Sequence, residues 1–256
     1  MMPSLFIAHG APTLVLEDNT YTRFLKEYAR NLPKPKAIIL FTAHWESPVP
    51  LISGVQQYDM IYDFYGFPDE MYRMVYPAKG DPNLAIKIQE ACSNQGINSQ
   101  IDVSRGIDHG AWVVLQLLYP QADIPVVVLS VNPALSPGEQ YNLGKALSKL
   151  REEDILIIGS GGTVHNLRAV NWRGTSVDNW AMEFEDWIKD HVEKWDLPPL
   201  FDYEKKAPFA AQAVPRNEHF IPLLLAMGAA DSSRHATLLY REFQFGNLSL
   251  TCWKFD

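Results

Sequence analysis

Short, continuous apolar runs alternate along this chain with longer stretches whose apolar residues recur at helical spacing. Continuous apolar runs are typical of strands buried on both faces of a sheet. They predict strands at residues 3–8, 37–43, 49–53, 99–103, 125–131, 155–160, 236–243 and 247–254. The helical spacing predicts helices at residues 19–31, 69–75, 82–95, 110–119, 137–151, 178–195 and 217–229.

Strands that alternate with helices indicate an α/β fold, here a three-layer sandwich with helices on both faces of a central sheet. Asp81 before Pro82, and Ser136 three residues before Glu139, are typical helix starts. The two C-terminal strands lie close together in sequence and predict an antiparallel hairpin through Gly246. We therefore expect a mixed, largely parallel sheet.

The composition narrows the functional classes. The 256 residues contain no repeat or linker-like segment, which predicts a single domain over residues 1–256. A net charge of −8 without a basic patch argues against binding to nucleic acid or an anionic membrane. Two isolated cysteines, Cys92 and Cys252, give no disulfide framework and fit a reducing compartment. We find neither a signal peptide nor a transmembrane run, and we expect a cytoplasmic protein.

Histidines follow or precede the buried runs at four places in the sequence. His9, His44 and His165 each come after an apolar run, and His219 precedes one. Ligands of open α/β sheets bind beyond the carboxyl ends of the strands, so these residues are expected to converge. Four imidazoles at one edge suggest a metal site with a spare acid–base group, a role that suits His165 because histidine titrates near neutral pH.

The residues alone leave the ligand set open. Glu218 and His219 are adjacent, so we expect only one of them to bind the metal. Two histidines with a carboxylate would form the facial triad of non-haem Fe(II) oxygenases, whereas three histidines suit Fe(II) or Zn(II). Glu46 is a candidate to orient His44 from behind.

Several further residues are candidates for a pocket. The segment 58–77 is crowded with aromatic residues, which wall a pocket or simply pack on the core. His109 either lines the pocket or serves a structural role, and Asp108 either contacts substrate or caps a helix. His191, His235 and Cys92 are interpreted as structural or exposed rather than catalytic. There is no P-loop, GxSxG or HExxH motif.

The motifs together resemble a known enzyme family. They are HGAP at 9–12, TAHWE at 42–46, YDFYGFP at 62–68, DHGAW at 108–112, SGGTVHNL at 160–167 and EHFIPL at 218–223. The chain resembles the DOPA 4,5-dioxygenase type of class III extradiol ring-cleaving dioxygenases, in the superfamily of the protocatechuate 4,5-dioxygenase catalytic subunit. The motifs span nearly the whole chain in the order of that family.

The resemblance implies an Fe(II) enzyme that opens the ring of a catechol with O₂. It implies metal binding by His9, His44 and His219, with Glu218 as the alternative to His219. It implies catalytic roles for His165, as the acid–base residue, and His109, in the pocket. The residues expected to contact the substrate are Tyr62, Tyr65, Phe67 and Asp108.

Two alternatives follow from the same residues. Three histidines also suit a zinc hydrolase with a metal-bound water. A non-catalytic binding protein of the MEMO type shares the fold, but the complete set of four histidines argues against it. Zn(II) bound to purified protein would not decide between iron and zinc, because nitrogen sites bind Zn(II) more tightly than Fe(II). Surface aromatic residues permit a homo-oligomer.

Overall fold

The buried apolar runs form one central sheet. The computed structural model describes residues 1–173 and 176–256. Its strands are β1 (Ser4–Ala8), β2 (Ala37–Glu46), β3 (Leu51–Ser53), β4 (Gln100–Asp102), β5 (Val126–Val131), β6 (Ile155–Gly161), β7 (Ala236–Tyr240), β8 (Phe243–Gln244), β9 (Leu248–Ser249) and β10 (Cys252–Phe255). Eight of them form the central sheet in the order β4-β3-β5-β2-β6-β1-β10-β7, and β8 pairs with β9 separately.

The centre of the sheet is parallel and its edges are mixed. Strands β5, β2, β6 and β1 run parallel to one another, whereas β10 is antiparallel to both β1 and β7. On the other side, β3 is antiparallel to β5 and parallel to β4. The predicted mixed, largely parallel sheet is therefore confirmed.

Helices cover both faces of the sheet. They are α1 (Thr20–Asn31), α2 (Pro82–Ser93), α3 (His109–Leu118), α4 (Pro137–Ala146), α5 (Asn179–Glu193), α6 (Leu197–Phe201), α7 (Tyr203–Lys206), α8 (Ala210–Ala213) and α9 (Ile221–Gly228). Successive side chains of a strand point to opposite faces. Ile38 and Leu40 accordingly join the cluster of α1 and α3, while Ile39 and Phe41 join that of α2, α4 and α9. This confirms the three-layer sandwich.

Helices α2 and α4 begin where the sequence predicted. Asp81 accepts a hydrogen bond from the backbone N–H of Leu84 at 3.0 Å, with Pro82 in the first turn. Ser136 and Glu139 form a reciprocal capping box at the start of α4. These bonds satisfy N–H groups that have no partner within the helix. Among the described residues, no helix is both long and apolar enough to cross a membrane.

Three predicted elements differ from the structure. The C-terminal hairpin is antiparallel as predicted, but positive φ angles of 52° at Phe245 and 86° at Gly246 close a separate small ribbon of β8 and β9. Residues 69–73 form a 3₁₀ helix rather than an α-helix. The predicted helix 217–229 begins only at Ile221, because Pro222 fits only the first turn of a helix.

Helices α4 and α9 contact each other through their backbones. A β-carbon on Gly144 would collide with the carbonyl oxygen of Leu225, and one on Gly228 would collide with that of Tyr141. The two glycines therefore allow a helix crossing that no larger residue permits. This crossing holds α9 against the sheet, and the chain just before α9 carries His219.

We expect Gly144→Ala to lower the free energy of unfolding by about 1–3 kcal/mol, because the added methyl group must push two backbones apart. Gly138→Ala in the same helix is the matched control, since its β-carbon would lie 3.6 Å from the ring of Phe201. There the gain in helix propensity should raise the free energy of unfolding by about 0.5–1 kcal/mol. Urea unfolding followed by tryptophan fluorescence measures the free energy of unfolding of both variants. Equal changes in the two would contradict a close backbone contact between α4 and α9.

Candidate metal centre and active site

Five imidazoles converge at the carboxyl edge of the parallel strands. His9 follows β1, His44 lies near the end of β2, and His165 follows β6 in the chain. His109 is the first residue of α3, and His219 lies in the turn before α9. Because β1, β6 and β2 are parallel neighbours, their ends share one edge of the sheet. The structure thus brings together all the histidines predicted to belong to the site.

Three of these rings form a nearly equilateral triangle. Ring centroids are 4.9 Å apart for His9 and His44, 5.1 Å for His9 and His219, and 4.9 Å for His44 and His219. His165 lies outside the triangle and stacks on His219, with centroids 3.5 Å apart and planes 6° from parallel. His109 adjoins His44 at 4.0 Å.

Glycines allow the backbone to bring His219 and His44 into place. A β-carbon on Gly161 would collide with the carbonyl oxygen of His219, which accepts a hydrogen bond from the N–H of Gly162 at 2.9 Å. A β-carbon on Gly110 would lie 2.8 Å from the ring of His44. Gly161 therefore lets the chain before α9 lie directly against the end of β6.

A bulge in β2 turns His44 toward the site. The pairing of β2 with β5 shifts between Phe41 and Glu46, so the strand continues beyond its predicted end at residue 43. Extra residues in one strand disrupt the ladder locally and redirect side chains. The backbone N–H of His44 bonds to the hydroxyl of Thr42 at 3.2 Å.

Hydrogen bonding fixes the tautomer of His9. Its Nδ1 lies 3.1 Å from Oγ of Ser160, and the Ser160 hydroxyl donates to the carbonyl oxygen of Gly110. A hydroxyl has one proton to donate, so Ser160 must accept from Nδ1–H of His9. We infer that Nε2 of His9 carries a lone pair.

Asp63 fixes the tautomers of two further histidines. Its Oδ2 lies 3.0 Å from Nδ1 of His44, and its Oδ1 lies 2.8 Å from Nδ1 of His109. Oδ1 also accepts from the backbone N–H of His109 at 3.1 Å. Burial alone would raise the pKa of Asp63, but the hydrogen bonds from His109 and His44 outweigh it and hold that pKa below its usual range. An ionised carboxylate only accepts, so both rings present Nε2 lone pairs.

His219 completes the pattern. Its Nδ1 lies 3.1 Å from Oε1 of Glu218, so the proton sits on Nδ1. Nε2 of His219 is buried and has no hydrogen-bond partner among the described residues. A buried polar atom without a partner is costly, and an ion that binds to this nitrogen would remove that cost.

The lone pairs need a cation between them. Nε2 of His9 and Nε2 of His44 are 3.1 Å apart, and neither carries a proton that could join them. Neutral imidazole nitrogens are donors that suit Fe(II) and Zn(II). The residues therefore fit a divalent metal ion of this class.

Two separate sets of donors are each close enough together to hold an ion. One set is His9, His44 and His109, and the other is His165, Glu218 and His219, with the ligand atoms of each set within 4.8 Å of one another. The triangle of His9, His44 and His219 takes members from both sets. The contact of Glu218 with Nδ1 of His219 fits a carboxylate that orients this ring.

Burial favours the neutral, metal-binding form of four of these imidazoles, those of His9, His109, His165 and His219. Desolvation, reinforced by neighbouring imidazoles, lowers the pKa of His9 and that of His219 well below the usual value. Burial also lowers the pKa of His109, against the hydrogen bond to Asp63. The pKa of His165 falls to about 4, again mainly through burial. Neutral rings offer lone pairs to an ion without first losing a proton.

A cavity of about 550 Å³ opens above the imidazoles. His9, His44, His109 and His165 form its floor. Phe64, Tyr65 and Phe67 supply one wall, and Leu167, Trp172, Phe245 and Leu248 supply another. A second cavity of about 650 Å³ lies between residues 48–50 and 95–98 and borders no histidine. The second cavity has the greater volume, but of these two cavities only the first combines apolar walls with convergent polar groups. The first is therefore the better candidate for a ligand site.

Of the four predicted substrate contacts, two border the cavity and two have structural roles. Tyr65 and Phe67 border the cavity as expected. Tyr62 instead donates its hydroxyl to the carbonyl oxygen of Met74 at 2.7 Å and braces the aromatic segment. Asp108 is fully buried, where it caps α3 and accepts from Thr42 at 2.7 Å. The prediction of Asp108 as a substrate contact is therefore corrected to a capping role.

Other expectations about polar partners also change. Glu46 does not orient His44; it pairs with Arg216 at 2.7 and 2.8 Å, and Asp63 takes the expected place. Asp63 and Ser160 were missed in the sequence, although they lie within the motifs YDFYGFP and SGGTVHNL. An acidic residue within an otherwise aromatic segment was the available signal for Asp63. His191 bonds to the carbonyl oxygen of Trp187 at 2.8 Å, in line with a structural role.

Comparisons with known proteins agree with this geometry. Residues 3–249 match the family described as the catalytic LigB subunit of aromatic ring-opening dioxygenase. A protein named 4,5-DOPA dioxygenase extradiol from Beta vulgaris is 40% identical over 98% of this chain and 96% of its own length. One of the same name from Escherichia coli K12 is 37% identical over 97% of this chain and 93% of its own length.

The fold is shared with a solved structure. The crystal structure of an uncharacterized protein from Escherichia coli K12 superposes with a TM-score of 0.87 at 34% identity, and the match covers 100% of both chains. Sequence, fold and site geometry agree over nearly the full length. The chain therefore belongs to the family of the catalytic LigB subunit of aromatic ring-opening dioxygenases, and it is an enzyme of the extradiol dioxygenase class.

Proposed function

We propose that this chain, as one catalytic domain over residues 1–256, uses Fe(II) to open the aromatic ring of a substituted catechol with O₂. The observation that carries the proposal is the convergence of unprotonated Nε2 atoms beneath a cavity with aromatic walls. A buried set of neutral nitrogen donors suits Fe(II), and flat apolar walls suit an aromatic ring.

His9, His44 and His219 would hold the metal. Fe(II), when bound, would supply the redox centre at which a catechol and O₂ meet. Three uncharged ligands leave the positive charge of the ion uncompensated, which favours an anionic catechol beside it. Ser160, Asp63 and Glu218 keep these rings oriented by accepting their Nδ1 protons.

His165 would act as the acid–base residue. Its ring borders the cavity, and its pKa of about 4 leaves the imidazole neutral near pH 7. A neutral imidazole can accept a proton from a catechol hydroxyl and later return it to the product. Stacking against His219 holds the ring parallel to a proposed metal ligand. His109, fixed by Asp63, would present its Nε2 to the substrate.

The aromatic segment would bind the substrate ring. Phe64 packs edge-on against His109 with centroids 5.7 Å apart, and Phe67 packs against Phe64 at 5.3 Å. This places aromatic faces next to the imidazole floor. A catechol bound there would be shielded from water on that side, which strengthens the electrostatic interactions at the metal.

Oxygen consumption tests the proposed function directly. We expect metal-free protein loaded anaerobically with Fe(II) to consume O₂ in proportion to a yellow ring-opened product when mixed with a catechol in air. The same protein loaded with Zn(II) should consume none, because Zn(II) has no redox chemistry. An oxygen electrode and visible absorbance measure the two quantities. Equal activity with both metals, or hydrolysis without O₂, would refute an oxygenase.

The ligand assignment has its own test. His44→Ala and His219→Ala should abolish stoichiometric iron binding, because each removes one of three ligands. His109→Ala should retain iron, because that histidine lies outside the proposed triangle. Metal content after reconstitution and desalting, measured by mass spectrometry, distinguishes these variants, with His191→Ala as the control away from the site. Iron lost from His109→Ala but retained by His219→Ala would exchange the roles of these two residues.

The acid–base role predicts a different pattern. His165→Ala should keep one iron per chain but lose about 10²–10⁴-fold in kcat, since general acid–base catalysis typically contributes that much. Steady-state oxygen uptake at saturating catechol, with metal content measured on the same sample, is the appropriate assay. Full activity in this variant would remove His165 from proton transfer.

A further inference from the structure

We propose that the preferred substrate is a catechol whose ring carries an uncharged, bulky apolar group, rather than the amino-acid side chain of DOPA. This inference rests on the proposed ring-opening function and specifies its substrate class. The relatives are named for DOPA, so the proposed substrate differs from theirs. The proposal follows from the charge and shape of the cavity in this chain.

The cavity offers no free charge to a charged substituent. Among the described residues that border it, only Asp63 has a formally charged side chain, and both of its oxygens are occupied by His44 and His109. The Nδ1 atoms of the bordering histidines are also engaged, that of His9 by Ser160 and those of His44 and His109 by Asp63. An ammonium or carboxylate group in this cavity would lose its hydration without gaining an ion pair, which is costly.

A second group of large apolar residues borders the cavity apart from the aromatic segment. Trp172 packs on Phe245 with ring centroids 4.8 Å apart, and Leu167 and Leu248 border the same side. Trp172 and Leu167 remain 64% and 59% exposed. Large exposed apolar side chains at a cavity mouth commonly mark a surface that a ligand covers. A catechol ring alone would leave most of a cavity of about 550 Å³ unfilled.

The hydroxyl in this part of the cavity is already satisfied. Ser249 borders the cavity, and its Oγ bonds to the hydroxyls of Thr163 at 3.0 Å and Thr251 at 2.8 Å. It also accepts from the backbone N–H of Thr251 at 3.2 Å. Thr163 and Thr251 in turn bond to the buried carboxyl of Glu185. The hydrogen-bonding groups of Ser249 are thus occupied within the protein, so Ser249 does not need a polar substituent of the substrate as a partner.

Two exposed arginines provide the alternative to apolar recognition, which is an ion pair with a carboxylate of the substrate. Arg168 and Arg173 adjoin Leu167 and Trp172 in the sequence, and both are exposed. If either reached over the mouth of the cavity, it would pair with a substrate carboxylate. Their removal therefore separates recognition by charge from recognition by apolar contact.

The test compares matched catechols on the iron-loaded enzyme. The set is 4-phenylcatechol and 4-methylcatechol, which are neutral, with L-DOPA, dopamine and 3,4-dihydroxyphenylacetate, which are charged. We expect kcat/KM for 4-phenylcatechol to exceed that for each charged compound by about tenfold or more, because an unpaired charge is penalised in the cavity. A kcat/KM for L-DOPA equal to or above that of 4-phenylcatechol would overturn the proposal.

Variants locate the source of the preference. Trp172→Ala, and independently Leu167→Ala, should reduce the preference for 4-phenylcatechol over 4-methylcatechol by about fivefold for the tryptophan and less for the leucine. The control Arg168→Ala/Arg173→Ala should leave kcat/KM for every compound unchanged. A selective loss of activity toward L-DOPA and 3,4-dihydroxyphenylacetate in this control would show recognition by charge and overturn the proposal.

A binding measurement separates this inference from the function on which it rests. Calorimetric titration of metal-free protein should show tighter binding of 4-phenylcatechol than of L-DOPA, and Trp172→Ala should weaken the former. If no catechol consumes O₂ but this order of binding holds, the proposed function fails and the apolar specificity stands. If catechols are cleaved but L-DOPA binds as tightly as 4-phenylcatechol, the function stands and the specificity fails.

Discussion

The candidate metal centre depends on hydrogen bonds made behind each imidazole ring. Ser160, Asp63 and Glu218 accept the Nδ1 protons of His9, His44 and His219, which leaves the lone pair of each ring on Nε2. The Nε2 atoms of His9 and His44 lie 3.1 Å apart. Converging lone pairs repel in a buried site and are stabilised by a shared cation. The same arrangement that makes the cluster unfavourable by itself therefore makes metal binding favourable, and it sets which atom of each ring would bind.

Hydrogen bonds orient the imidazole rings, but close backbone packing determines where the rings lie. Gly161 lets the backbone of His219 lie against β6, and Gly110 lets α3 approach His44. The crossing of α4 and α9 at Gly144 supports the same region from behind. These close approaches are set mainly by the backbone, which cannot change rotamer, so the positions of the imidazoles follow from packing of the sheet and helices.

Two properties of the site combine in its proposed chemistry. Neutral ligands would preserve the charge of a bound metal ion, and that charge would favour the two oxygens of the proposed catechol. The other residues that border the cavity, Trp172 and Phe64 among them, carry almost no free charge, so under the proposal they would select through shape and apolar contact. Under the proposal, the imidazoles would provide reactivity and the apolar lining would provide binding energy for the substituent of the ring. The substituent could then vary without a change at the metal centre.

The sequence alone determined the layered fold and the meeting of His9, His44, His165 and His219, because buried parallel strands are continuous apolar runs and their carboxyl ends share one edge. Its motifs also indicated the family. Only the tertiary structure decided the partners: Asp63 rather than Glu46 behind His44, and Asp108 as a helix cap. Those contacts join loops and strands far apart in the chain. Periodicity determines which face of an element is buried, whereas the packing of loops decides which polar atoms meet.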